Sequence, residues 1–308
     1  MPHRIFALVG PTAVGKTDVS IALARAVDAE IVGCDSMQVY RGMPILTQQP
    51  STEQCAGIPH YLIDCVEPTA AFNVGQYREL ALEAIGNIHS RGKAVLLVGG
   101  TGLYLKALAE GFCDAPPADV KIREELLAAA EVQGAPALHE RLHVVDPVAA
   151  AKIHPRDARR LVRALEVYTL TGQPLSQFWK ARKTETLPIA TVAVTRPREE
   201  LYARINRRVV HMLEQEGVLE EVTRVMGLAL SQTARQVHGL RYLEAYLKGE
   251  RSLAETVSLW QRQVRQYARR QLTWFRARPH VQWVTLEANQ TVDDTVKAIL
   301  ALWAGDAS

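Results

Sequence analysis

No apolar run in the 308-residue chain approaches the ~18 residues that a membrane-spanning helix needs, so a helical membrane protein is not expected. The four cysteines, Cys34, Cys55, Cys65 and Cys113, fall in no C-x-x-C pair. Neither a zinc module nor a disulfide framework is therefore indicated, and reduced, partly buried thiols are expected. Met1-Pro2-His3-Arg4 leads directly into an apolar segment without a charged leader, a signal core or a cleavage site, which points to the cytoplasm. Internal repeats and low-complexity tracts are also missing. Formal net charge is only +3, so any basic surface must be local. The length allows one large domain or two modest ones.

What is present begins with Gly10-Pro11-Thr12-Ala13-Val14-Gly15-Lys16-Thr17, which fits G-x-x-x-x-G-K-[ST] at every fixed position. Residues 4–9 before it read as a buried strand, and Val19, Ile21, Ala22, Leu23 and Ala26 after it mark a helix face. That context makes the segment a phosphate-binding loop, whose backbone N–H groups converge on phosphate oxygens at a helix N-terminus. Gly10, Thr12, Ala13, Val14 and Gly15 form the cradle, with Gly15 letting the backbone turn close to the ligand. Lys16 supplies a point charge, and the Thr17 hydroxyl is placed to hold Mg²⁺. The loop indicates a polyphosphate without saying which one.

Residues 30–34 read as a second strand that delivers Asp35-Ser36-Met37-Gln38-Val39-Tyr40 to its C-terminal end, the edge where open α/β sheets bind ligands. Asp35 there reads equally as a helix cap or metal-shell ligand and as a catalytic base. Residues 47–59 read as a surface loop, 60–64 as a short strand and 72–90 as a helix; His60 and His89 read as polar surface groups. Residues 94–98 are the clearest buried strand. Where a Walker-type NTPase would end it in an acid, this chain has Gly99-Gly100-Thr101-Gly102, which counts against ordinary NTP hydrolysis. The glycines permit close approach of a ligand, with Thr101 as a polar handle; a tight turn capped by Thr101 is the alternative.

Asp114-Ala115-Pro116-Pro117-Ala118-Asp119 is a breaker cluster, and the ~70 residues after it show helical patterning. The expected architecture is α/β: a P-loop NTPase-like parallel sheet flanked by helices, formed by 1–113 and 187–308, with an inserted all-helical subdomain at 114–186. One insertion helix covers 120–132, with Arg123 in its first turn. Another covers 156–170, with Leu161, Val162, Leu165, Val167 and Tyr168 as core candidates. Its other face carries Arg156, Arg159, Arg160 and Arg163, joined by Lys152, Lys180, Arg182 and Lys183, with few acids to balance them.

Strand patterning resumes at 188–194. In the helical segment 196–213, Arg204 and Arg208 lie four apart on one face, able to clamp a leaving pyrophosphate if that face looks back at the loop. Residues 260–278 hold Arg262, Arg265, Arg269, Arg270, Arg276 and Arg278, no acid, and the interleaved rings of Tyr267, Trp274 and Phe275. That pattern suits a nucleic-acid backbone, with some rings in the core. A last strand at 281–284 and a final helix close the chain. The combination favours a transferase that acts on nucleic acid with a polyphosphate donor; a nucleoside or small-molecule kinase is the alternative.

The phosphate loop, then Asp35-Ser36-Met37-Gln38-Val39-Tyr40-Arg41-Gly42-Met43, then Gly99-Gly100-Thr101-Gly102-Leu103-Tyr104 resemble the bacterial tRNA dimethylallyltransferase (tRNA isopentenyltransferase) family. Arg160-Leu161-Val162-Arg163-Ala164-Leu165-Glu166-Val167-Tyr168 and Ala268-Arg269-Arg270-Gln271-Leu272-Thr273-Trp274-Phe275-Arg276 are similar to it too, so the resemblance spans nearly the whole chain. It implies a dimethylallyl diphosphate donor, a Mg²⁺ cofactor held at Thr17, and a monomer. The implied acceptor is the N6 amine of the adenosine immediately 3′ of the anticodon, in tRNAs that read codons starting with U. Without a water to position, a Walker-type acid is not needed. By resemblance Asp35 is the base and Thr101 sits near the amine, while Ser36, Met37 and Gln38 read an extruded adenine. Arg208 joins the loop on the diphosphate, and Arg123, Arg159, Arg160, Leu161, Val162 and Arg163 match positions that touch the tRNA anticodon stem-loop. One departure is His238-Gly239-Leu240-Arg241, where the family commonly carries an apolar residue, Gly and Tyr before a basic residue.

Overall fold

The computed structural model describes residues 4–111, 115–180 and 186–305. Met1, Pro2, His3, Cys113, Asp114, Arg182 and Lys183, named above, lie outside the described residues. Packing divides the chain into two compact units, Met1–Ala109 with Leu187–Ser308, and Glu110–Thr186.

The first unit is built on six parallel strands: β1 (Ile5–Val9), β2 (Ala29–Cys34), β3 (His60–Tyr61), β4 (Ala94–Gly99), β5 (Ile189–Thr195) and β6 (Gln282–Thr285). Their order across the sheet is β3-β2-β4-β1-β5-β6. Every residue of β1 and β2 is buried, as a parallel sheet covered on both faces demands of its central strands. The register pairs Gly99 with both Val9 and Cys34. The C-terminal ends of β1, β2 and β4 therefore finish level, and the phosphate loop, the Asp35 segment and the Gly100-Thr101 turn leave the sheet side by side.

The Leu253–Arg276 and Arg198–Glu214 helices pack against each other, each burying a single face. The Leu253–Arg276 helix starts at a capping box in which Ser252 and Glu255 satisfy each other's backbone N–H groups. It buries Thr256, Trp260, Val264, Ala268, Gln271 and Phe275, a stripe at helical spacing. Trp260 and Phe275 thus belong to the core, and the arginines occupy the remaining faces. The Arg198–Glu214 helix buries Leu201, Ile205, Val209 and Met212 in the same way.

Three features differ from the sequence expectations. The 47–59 loop contains a helical turn, Thr52–Cys55, closed by a Ser51–Gln54 capping box. Two further helices, Val218–Met226 and Leu240–Leu247, stand where the sequence pattern predicts no element. Leu240 is buried in the core.

The second unit has its own core, including Leu138, Leu142, Leu161, Val162 and Leu165, drawn from the Ala135–Val145 and Ala158–Thr171 helices. Among the described residues, no helix is long and apolar enough to cross a membrane. Cys34 is buried, Cys55 and Cys65 are half-buried, and all three are free thiols.

Candidate active site

The phosphate loop is held in an unusual backbone shape by side chains from far along the chain. Gly15 caps the Lys16–Ala26 helix at φ 105°, a conformation glycine adopts readily, while Ala13 at φ 63° is a non-glycine residue in the left-handed region. Arg204 Nε donates to Ala13 O at 2.9 Å, and Arg196 Nε donates to Val14 O at 2.8 Å. Gln271 Oε1 accepts from Thr12 N at 3.0 Å. Lys16 Nζ donates to Gly10 O at 3.0 Å and Pro11 O at 2.8 Å. The loop's carbonyls are thereby tied to cations, which favours keeping them off an incoming anion.

Beside the loop lies a cleft of about 410 Å³, lined by Lys16, Thr17, Asp35, Gln38, Arg204 and Arg208 among others. Both arginines of the 196–213 pair therefore face the loop's side of the sheet. Burial pushes Lys16 down to about 8, with Arg208 adding to the fall and Asp35 opposing it. Burial likewise lowers Arg208 to about 10, with Arg204 contributing. Concentrated, partly desolvated positive charge of this kind favours a polyanionic ligand.

The Asp35 segment meets the Gly100-Thr101 turn at this cleft. Thr101 N donates to Cys34 O at 3.0 Å, and the Thr101 hydroxyl accepts from Ser36 N at 2.9 Å and lies 3.2 Å from Ser36 Oγ. The Thr101 side chain thus joins two strand ends instead of only capping the helix that follows it. Asp35 Oδ1 accepts from Met37 N at 2.9 Å, which fixes the carboxylate's orientation. Gln38 Nε2 donates to Gln48 O at 2.6 Å, and the Thr12 hydroxyl donates to Gln48 Oε1 at 3.4 Å. The Tyr267 phenol also bonds the Thr101 side chain.

Gln271 ties these parts together. Its Nε2 donates to Gly100 O at 3.0 Å while its Oε1 holds Thr12 N. A Cβ at position 100 would lie 2.0 Å from Gln271 Nε2, so a side chain there must displace the Gln271 amide. Sequence reasoning missed Gln271, Arg196, Gln48 and His238 as site neighbours, and it read Tyr267 as part of a nucleic-acid face. The available signal was the stripe that places 264, 268 and 271 on one helical face. His60, expected on the surface, is half-buried and lines the cleft, with its Nδ1 2.8 Å from Ile58 O.

Arg123, Arg159, Arg160, Leu161, Val162 and Arg163 all belong to the second unit. Leu161 and Val162 are buried in its core, where the apolar face of the Ala158–Thr171 helix needs their side chains. Nor does the helix lack a balancing acid. Fully buried Glu166 bonds Arg123 at 2.9 Å and Arg163 at 2.8 Å, and also accepts from Asp119 N at 2.9 Å. Arg160 remains largely exposed beside Asp157.

A polyphosphate loop at the end of β1, reinforced by arginines and facing an Asp–Thr pair on the neighbouring strand ends, defines a P-loop α/β protein whose chemistry is group transfer from a phosphorylated donor. The chain belongs to the IPP transferase family, whose sequence model matches residues 38–278. It is 46% identical over 290 residues to the tRNA dimethylallyltransferase of Geobacter sulfurreducens, covering 93% of each chain. With the tRNA dimethylallyltransferase of Shouchella clausii it shares 45% identity over 302 residues, 96% of this chain and 97% of the other. The crystal structure of the full-length tRNA isopentenylpyrophosphate transferase of Bacillus halodurans superposes with TM-score 0.71 at 38% identity, over 99% of this chain and 98% of that one. A eukaryotic dimethylallyltransferase, captured acting on tRNA, superposes with TM-score 0.82 at 28% identity, over 98% of this chain and 79% of that one.

Proposed function

We propose that the protein transfers a dimethylallyl group from dimethylallyl diphosphate to the N6 amine of the adenosine immediately 3′ of the anticodon, in tRNAs that read codons starting with U. The products are N6-dimethylallyladenosine and diphosphate. One observation supports the reading: Asp35 lines the cleft that begins on the phosphate loop, and the Thr101 hydroxyl bonds Ser36, the next residue along the chain. The relatives named above favour allyl transfer over the kinase alternative.

The amine is a weak nucleophile because its lone pair is delocalised into the adenine ring, so a base that takes its proton lowers the barrier. Asp35 fills that role. Its Oδ1 is oriented by Met37 N, and the Thr101 hydroxyl beside it serves to steer the amine. As the N6–carbon bond forms, the carbon–oxygen bond to diphosphate breaks, the leaving group keeps the electron pair and Asp35 takes the proton. The allylic carbon carries positive charge in this process, so stabilising the departing diphosphate is the other large contribution. Lys16 and Arg208 supply charge to it, and the free N–H groups at the start of the Lys16–Ala26 helix supply hydrogen bonds. The Thr12 amide, already bound by Gln271, is not one of these donors.

The Thr17 hydroxyl in the cleft suits Mg²⁺, which needs few protein ligands when phosphate oxygens and waters complete its shell. When bound, the ion neutralises charge on the diphosphate. Ser36 and Met37 flank the adenine in this reading. With the Gln38 amide nitrogen engaged by Gln48 O, its oxygen is left to read the base. Arg160 and Arg159, with Arg123 and Arg163, are assigned to the anticodon stem-loop. The proposed working form is a cytoplasmic monomer.

The test is to incubate the protein with Mg²⁺, unmodified bulk tRNA, and either radiolabelled dimethylallyl diphosphate or γ-labelled ATP. Label passing from the allyl donor into tRNA supports the reading. Label passing only from ATP overturns it.

A further inference from the structure

Glu221, on the Val218–Met226 helix, is fully buried, yet it does not line the cleft. Among the described residues no cation bonds it, and a buried carboxylate without one is costly. Burial raises its carboxyl above the ordinary value, and the Ile45 and Leu46 amides oppose that rise. Both oxygens serve one short segment. Ile45 N donates to Glu221 Oε2 at 3.0 Å, and Leu46 N donates to Oε1 at 2.8 Å. These amides open the helical turn Pro44–Thr47, whose own cap position, Met43, makes no side-chain bond to it. Glu221 therefore caps that turn from a distant part of the chain.

The turn delivers Gln48 and Gln49 to the segment that follows Asp35. Gln48 leaves it at φ 61°, in the left-handed region, and its carbonyl accepts from Gln38 Nε2 at 2.6 Å. Gln49 Nε2 donates to Gln38 O at 2.9 Å and to Tyr40 O at 2.7 Å. A carbonyl only accepts, so the Gln38 amide must turn its NH₂ to Gln48 and its oxygen away. Among the described residues no donor reaches that oxygen, and Gln38 lines the cleft. A glutamine free to rotate presents either end of its amide to a ligand. Held by Gln48, this one presents an acceptor.

We infer that Glu221 is a positioning residue for the choice of acceptor base: by capping the Pro44–Thr47 turn it keeps Gln48 O on the Gln38 amide, and the Gln38 oxygen then selects a base with an exocyclic amine over one with a carbonyl in its place. The inference rests on the function proposed above. The adenine amine has two hydrogens. One bonds the Gln38 oxygen and stays on the product nitrogen, and the other passes to Asp35 as the N6–carbon bond forms. A base with a carbonyl at that position sets oxygen against oxygen, and a site built to bond one polar group rejects the analogue that lacks it. Without the cap, the Gln38 amide is free to rotate and offer its NH₂ to that carbonyl. The phosphate loop is held by Gln271, Arg196 and Arg204, so donor binding does not depend on the cap.

The test uses the full chain and two synthetic anticodon stem-loops, identical except for adenosine or inosine immediately 3′ of the anticodon. Inosine carries a carbonyl where adenosine carries the amine. Fluorescence anisotropy gives both Kd values for the wild type, Glu221→Ala, Glu221→Gln, Gln38→Ala and the Glu221→Ala, Gln38→Ala double variant. Transfer from dimethylallyl diphosphate to the adenosine stem-loop is measured in parallel. The wild type is expected to bind the adenosine stem-loop about tenfold tighter. Glu221→Ala should flatten that ratio, and Glu221→Gln, which keeps one acceptor at the same reach, should retain part of it. Gln38→Ala should flatten it too, with no further change in the double variant, because both act through one amide. Equal affinities in the wild type overturn the inference whether or not the variants fold. A folded Glu221→Ala protein that binds both stem-loops more weakly at an unchanged ratio overturns it as well, since Glu221 is then only scaffold. A preference that Glu221→Ala removes, in a protein that transfers nothing from the allyl donor, upholds the positioning role and defeats the transferase reading.

Discussion

Removing the Gln271 amide should damage stability and donor binding together, because that one group joins the phosphate loop to the end of β4. Gln271→Ala deletes two hydrogen bonds, each 3.0 Å long, and leaves Thr12 N and Gly100 O without partners. An unsatisfied buried backbone group costs about 1–3 kcal/mol. Thr12 borders the cleft, where water can replace the lost acceptor, while Gly100 is buried and has no such relief. The expected loss is therefore about 2–4 kcal/mol, which for a unit of this size lowers the melting temperature by roughly 5–15 °C. Freeing Thr12 also loosens the loop, and donor affinity should fall on the order of tenfold.

The Gly100 contact provides the control. A Cβ at position 100 would lie 2.0 Å from Gln271 Nε2 and 3.0 Å from Gly10 O, so Gly100→Ala should destabilise strongly alone and less in the Gln271→Ala background. The double-mutant cycle should give a coupling of about 1 kcal/mol or more. The assay is thermal unfolding of the four proteins with and without dimethylallyl diphosphate, plus calorimetric Kd values. If Gln271→Ala melts within about 1 °C of the wild type and binds donor normally, the bridge carries no energy. Strict additivity would show that the two residues do not meet.

The lowered Lys16 ammonium makes donor binding depend on pH. Burial holds it at about 8, and diphosphate binding needs its charge, so proton uptake accompanies binding once pH exceeds that value. Donor affinity should fall by up to tenfold per pH unit above about pH 8, and Lys16→Met should remove the slope; a flat Kd across that range refutes the assignment. Asp35→Asn should cut turnover by about 10²–10⁴-fold with tRNA affinity unchanged, and intact turnover in that variant removes Asp35 from the chemistry. Arg160→Ala should lower the log–log salt slope of tRNA binding by about 0.7–0.9 while leaving the melting curve in place. Arg163→Ala should instead destabilise the helical unit, because it leaves buried Glu166 with Arg123 as its remaining ion-pair partner; an unchanged melt would show that Arg123 alone suffices.

Features carried by contiguous residues are legible in the sequence. The strand, loop and helix from β1 to Ala26 form a local unit, and β2 places Asp35 at a strand end whatever the remainder of the chain does. Arg204 and Arg208 show their spacing but not their direction, since a helix can present any face until the tertiary packing decides. In the Ala158–Thr171 helix two sources of expectation conflict. Apolar periodicity marks Leu161 and Val162 as core and similarity marks them as tRNA contacts; their burial bears out the first. Glu166 is the one acid in that basic stretch, three residues after Arg163, and an acid at core spacing is a sign of a buried ion pair. Gln271 shows its place on the buried stripe but not its partners, Thr12 and Gly100, which lie on segments distant in sequence that only the folded sheet brings near.

The glycines at the end of β4 have a steric reading as well as a chemical one. A side chain at position 99 would place its Cβ 2.1 Å from Cys34 O and run into the Cys34 backbone, and one at position 100 must displace the Gln271 amide and its two hydrogen bonds. The same packing positions Thr101, whose hydroxyl takes the Ser36 amide one residue from Asp35. Gln271 and the paired glycines therefore act as a set, and Gly100→Asp should break the Gln271 bridge to Thr12 and Gly100 and lower the melting temperature, an unchanged melt refuting the reading.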